Sequence, residues 1–191
     1  MQDSIGMRAT LLLLTMLVAA TVPAAAQPAF SQDHPRPTFA IGVGVSDDGN
    51  WSGDGKNLLL SGTYELPIGD SARVRLEAAR TRQAIPALVY RSDVGDTARF
   101  TRLTISLAGV KRSLAPIAPY GGLGIGIYRA TFDRAPASGW RAGPYGHVGI
   151  EVQAGDTLAI DAEVGIHVIG GHFYPESGLL GEALVRIKIG L

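Results

Sequence analysis

The chain has no cysteine, which excludes a disulfide framework and a thiolate metal site. It has no excess of either charge, with Lys plus Arg and Asp plus Glu at 17 each. A protein that neutralises nucleic-acid phosphates carries a basic surplus, so nucleic acid is not an expected partner. Beyond residue 26 no apolar run approaches the ~20 residues that a membrane-spanning helix needs. Aromatic residues are few, at 7%.

What the chain does have is glycine, 25 residues of it, in 191. Glycine weakens helix interiors. A glycine-rich chain that still alternates apolar and polar residues therefore favours strands. Residues 1–26 read as a cleaved secretory signal: Arg8 is the basic residue, Leu11–Ala20 the apolar run, and Ala24-Ala25-Ala26 the small residues before the cut. Met7 is an alternative start. Removing Asp3 and Arg8 with the signal leaves 16 charges of each sign. Residues 27–37, with Pro28, Pro35 and Pro37, read as an extended leader.

From residue 38 to 191 the period is two. The alternation marks eight strands: Thr38–Ser46, Asn57–Leu66, Ala72–Arg82, Arg99–Lys111, Ala118–Arg129, Pro144–Gln153, Thr157–Ile169 and Leu180–Leu191. Long connections (47–56, 83–98, 130–143, 170–179) alternate with short ones (67–71, 112–117, 154–156). That is the pattern of outer-membrane barrels, with short periplasmic turns and long outer loops. The expected fold is all-β, an eight-stranded antiparallel up-and-down transmembrane barrel.

One parity of the strands is apolar. The other mixes glycines with Glu65, Arg75, Glu77, Arg102, Glu151, Asp161, Glu163, Arg186 and Lys188, and also carries Arg73 and Glu182. An eight-stranded barrel has little interior room, and small residues beside opposite charges suit that interior. The reading is a side-chain-filled lumen holding this charge network, with the apolar parity facing lipid. A hairpin centred between Tyr174 and Pro175 would set Glu163 opposite Arg186 and Asp161 opposite Lys188.

The segment Pro119-Tyr120-Gly121-Gly122-Leu123-Gly124-Ile125-Gly126-Ile127-Tyr128, then Gly146-His147-Val148-Gly149-Ile150-Glu151, then Val185-Arg186-Ile187-Lys188-Ile189-Gly190-Leu191, resembles the small eight-stranded outer-membrane β-barrel domain family of the OmpA/OmpX type. The resemblance implies a barrel in the outer membrane, partnered by its lipid and by the barrel-assembly machinery, with no cofactor and often no enzymatic activity. The chain departs from that pattern in closing on Leu191 rather than an aromatic residue.

The glycines at 121–126 lie inside a strand, not at a strand-to-helix turn, so they do not form a dinucleotide loop. His147 and His167 share the lumen parity with the acids, and a hydrogen-bond network accounts for them better than a metal or acid–base site. Arg80, Arg82, Arg129, Arg134 and Arg141, with Arg91 and Arg99, fall at the outer rim, where Arg suits lipopolysaccharide phosphates. A non-enzymatic barrel whose outer loops bind or support the envelope is the leading expectation. A soluble periplasmic barrel for an apolar ligand and an outer-membrane lipid-modifying enzyme are the alternatives.

Overall fold

A computed structural model describes residues 36–47, 57–85, 96–112, 116–133, 139–169 and 179–191. The expected signal lies outside these residues, as do most of the leader and much of each long connection. Eight strands run in order: β1 Thr38–Asp47, β2 Leu58–Ile68, β3 Ala72–Ile85, β4 Asp96–Val110, β5 Ile117–Phe132, β6 Arg141–Gln153, β7 Leu158–Val168 and β8 Leu179–Gly190. Each pairs antiparallel with its sequence neighbour, and β1 pairs with β8 to close the barrel.

Several strands reach further toward the long connections than alternation indicates. The β3–β4 ladder continues to Ile85 opposite Asp96, and β6 begins at Arg141 rather than Pro144. Alternation ends where the wall leaves the apolar zone, but backbone pairing does not need it to continue. At the opposite end Gly69 takes φ 65 in the tight β2–β3 turn, a conformation that favours glycine.

The stagger follows from the registers. Thr38 pairs with Glu65, then in turn come Arg75, Ser106, Gly124, Tyr145, His167 and Leu180. Leu180 adjoins Gly181, the partner of Asp47, so one circuit climbs about ten residues of β1. With ~4.8 Å between strands and ~3.4 Å per residue, the strands tilt by roughly 40°, as barrel closure requires.

The two faces are inverted relative to a soluble protein. Ile41, Leu60, Leu107, Leu123, Ile125, Val148, Ile166 and Ile187 are all more than half exposed on the outer wall, Leu123 reaching 77%. Arg75, Asp161 and His167 are fully enclosed at 0%. Phe39 pairs with Tyr64 on the outer wall toward the short-turn end, and Trp140 stands exposed at the other end. No helix among the described residues is long and apolar enough to cross a membrane. The apolar wall built by the strands takes that role, since a closed barrel satisfies every strand edge. A soluble barrel for an apolar ligand would need the opposite arrangement, with the apolar face inside.

The β7–β8 register differs from the symmetric-hairpin expectation by two residues. Asp161 faces Arg186, Ala159 faces Lys188 and Glu163 faces Leu184. A slip of one would have turned every side chain to the other face, whereas a slip of two preserves the face. The observed register sets Gly165 opposite Glu182. A Cβ at 165 would lie 2.8 Å from Glu182 Oε1 and 3.0 Å from the Tyr145 ring, so glycine makes room for both.

Candidate functional site: the lumen and the arginine rim

The inward positions of eight strands converge on one charged column. Among the described residues it buries six carboxylates (Glu65, Glu77, Glu151, Asp161, Glu163, Glu182) and five cations (Arg73, Arg75, Arg102, Arg186, Lys188). Toward the short turns, Arg73 Nη1 donates to Glu151 at 2.7 Å and lies 3.1 Å from Glu65. Lys188 Nζ reaches both of these carboxylates at 2.6 Å and lies 3.6 Å from Asp161.

Midway up, Arg75 donates through Nε to Glu65 at 3.0 Å and pairs through Nη1 with Glu163. Arg186 donates to Asp161 at 3.2 Å, to Glu77 at 2.6 Å and to Glu163 at 2.7 Å. The hydroxyls of Tyr120 and Tyr145 also donate to Glu163, each at 2.9 Å, and His147 Nδ1 lies 2.9 Å from it. Glu163 is therefore the hub.

Toward the long connections, Arg102 donates to Glu77 at 2.6 Å and pairs with Glu182. His167 Nε2 stands 3.1 Å from Glu182, and its Nδ1 lies 2.8 Å from the Tyr128 hydroxyl. The Tyr145 ring is sandwiched between His147 (5.0 Å, 10°) and His167 (4.3 Å, 10°). Above this level the lumen turns apolar, with Ala98, Phe100, Ala130, Ile169 and Leu180 packed around Tyr128.

The structure brings together all nine lumen residues marked in the sequence. Arg73 and Glu182, which alternation also puts on the inward parity, join the same column. Alternation gave no role to Tyr145, which lies four residues after Arg141 at the start of β6 and before the first clear apolar pair. No group of His, Asp and Glu among the described residues is arranged to hold a metal ion. The His147 and His167 rings are committed to carboxylates, Tyr128 and Tyr145.

The second constellation lies on the outer wall near the long connections. Arg80, Arg82, Arg99 and Arg129 have the same outward parity as Ala78, Leu103 and Ile127. Two ladder rows hold them: Arg80–Thr101–Arg129 and Arg82–Arg99–Thr131. Arg99 Nη2 is 2.6 Å from Asp133, and Arg129 lies 6.0 Å from the centre of the Trp140 ring. Arg80, Arg82 and Arg129 have no ion-pair partner among the described residues. Arg141 is exposed but pairs opposite the inward-facing Tyr128, so it stands at the mouth of the lumen and not on this wall. Arg134 lies outside the described residues.

An apolar outer wall around a charged interior, closed by eight staggered strands, decides the class of fold. The chain has the fold of the small outer-membrane β-barrels. A solved structure of Neisserial surface protein A superposes with a TM-score of 0.63 at 14% identity, covering 81% of this chain and 96% of that one. Ail, the attachment invasion locus protein of Yersinia pestis, superposes with a TM-score of 0.52 at 13% identity, covering 81% of this chain and 95% of that one. Neither the protein-family models nor the curated proteins compared with the sequence give a match.

In this outer-membrane barrel fold the lumen and the rim do different chemistry. Inside, each buried carboxylate has a cationic partner, which offsets part of the cost of removing it from water. Outside, Arg80, Arg82 and Arg129 present guanidinium groups of the shape that makes planar, bidentate contacts with phosphate or carboxylate.

Proposed function

We propose that this protein is a non-enzymatic outer-membrane barrel that acts as a closed, rigid anchor. Its long connections face the cell surface, and its rim arginines engage the phosphates of outer-leaflet lipopolysaccharide. One observation carries the reading: the charged column occupies the lumen where a pore or a reaction chamber would have to be. A small, partly open pocket between Leu59, Phe100, Tyr128 and Leu180 measures about 10 Å³, room for about one water molecule. His147 and His167 are enclosed in the network, away from any incoming substrate. Outward Arg80, Arg82 and Arg129, which have no ion-pair partner among the described residues, support the lipid contact, because arginine pairs well with phosphate at a membrane surface.

Planar-bilayer recording tests the closed lumen. The purified barrel should show no steady channel, and a reproducible porin-sized step would overturn the reading. Incubation with lipopolysaccharide and with phospholipid, followed by analysis for released acyl chains, tests the absence of lipid-modifying chemistry.

A further inference from the structure

The outer wall has a depression directly below the rim. Ile41, Gly62 and Ala78 stand in one ladder row, and Leu60 and Arg80 in the next row toward the long connections. Gly62 and Ala78 put almost nothing on the lipid face, between the longer side chains of Ile41 and Leu60. The result is an open groove of about 410 Å³, bordered at its rim end by Arg80 and Thr101. The space over Gly62 is empty: a Cβ there would meet nothing within 4 Å.

We propose that this groove is a specific seat for one lipid, a phosphorylated glycolipid of the lipid A type. One acyl chain lies over Gly62 and Ala78, and the phosphates reach Arg80, Arg82 and Arg129. The inference rests on the lipopolysaccharide contact proposed above and adds the position and chemistry of the seat. Charge complementarity selects the occupant. The three arginines without an ion-pair partner among the described residues lie on β3 and β5, the two strands that flank β4. They suit a headgroup with more than one phosphate better than a lipid with a single phosphodiester. The apolar floor requires the same ligand to carry a chain. At Leu123, Ile125 and Val148, by contrast, large side chains stand out from the surface.

The test uses the full barrel in phosphatidylcholine nanodiscs doped with lipid A or, separately, with phosphatidylglycerol, and native mass spectrometry to count retained lipid. The wild type should retain lipid A about tenfold more strongly than phosphatidylglycerol, and R80A/R82A should lose about tenfold of that preference, the weight of a charge-assisted contact. Gly62→Leu fills the groove and leaves every arginine in place, and should lower lipid A retention by a similar factor. Ala78→Leu is the second groove variant should Gly62→Leu fold poorly. Wild-type retention by a folded groove variant would overturn the seat while leaving the rim contact standing. No effect of R80A/R82A would overturn the rim contact itself. Equal retention of lipid A and phosphatidylglycerol by the wild type would overturn the choice of a multiply phosphorylated glycolipid.

Discussion

Arg186 faces Asp161 directly across the β7–β8 ladder, yet its Nη2 passes that partner to reach Glu163 at 2.7 Å. One guanidinium thus ties two acids on one strand and, through Glu77, a third on the far wall. Glu163 also receives Arg75, Tyr120 and Tyr145. Glu163→Ala should leave two arginines short of a partner and destabilise the barrel by roughly 3–5 kcal/mol in urea unfolding from detergent or lipid. Adding Arg186→Ala should recover part of the loss, with a coupling of about 0.5–3 kcal/mol. Strictly additive losses would show that the pair does not act as a unit.

Tyr145 contributes in two separable ways, a hydroxyl to Glu163 and a ring between two imidazoles. Tyr145→Phe keeps the stack and should cost about 0.5–1.5 kcal/mol, since Arg186 still donates to the same carboxylate oxygen. Tyr145→Leu also loses the aromatic stacking, worth a further ~0.5–1.5 kcal/mol. Equal losses for the two variants would assign the whole effect to the hydroxyl.

Glycines on the two faces should respond oppositely to alanine. At Gly149 a Cβ would lie 2.5 Å from the Tyr120 ring, and the ring is held by its contact with Glu163. Gly149→Ala should therefore cost about 1–3 kcal/mol through overpacking. Gly62→Ala opens into free space and should stay within ~0.5 kcal/mol of the wild type. Both are measurable by denaturant midpoint or by the heat needed to shift the band on a gel. Equal sensitivity at the two sites would contradict the inward and outward assignments.

Orientation gives a cellular prediction. Protease added to intact cells should cut only in the connections at the β1–β2, β3–β4, β5–β6 and β7–β8 ends. The turns near Gly69 and Gly155 should be cut only after the outer membrane is opened. Cleavage at Gly69 in intact cells would reverse the topology.

The fold was legible because alternation is a two-state signal. Phe39, Ile41 and Val43 on one parity and Ala40, Gly42 and Gly44 on the other define both a strand and its faces. Which face turns inward also followed, since glycines such as Gly149 and Gly165 share the charged parity, and so narrow a lumen needs small residues beside its charges. The exact register of β7 on β8 was not legible. A hairpin loop constrains it weakly, while the fit of Glu182 over Gly165 and the closing stagger of the whole barrel constrain it strongly. Neither can be read from two strands alone. The partners of Glu163 were hidden for the same reason: Arg75 and Tyr120 come from strands across the lumen, and parity gives the face of a residue but not its neighbour across a void. The groove over Gly62 was invisible because a small residue on the lipid-facing parity resembles an ordinary weak strand position until its neighbours are placed.

The seam between β1 and β8 has a consequence for how the molecule is made. Thr38 lies opposite Gly190, so β1, the first strand of the barrel, waits for β8, the eighth, before its edge is covered. Until then, any partly assembled sheet exposes bare amides and carbonyls at two borders, which hydrocarbon does not tolerate. The sheet cannot enter the bilayer strand by strand on its own. It must either curl and seal within the same event that carries it into lipid, or be held by something that caps both borders until the last strand arrives.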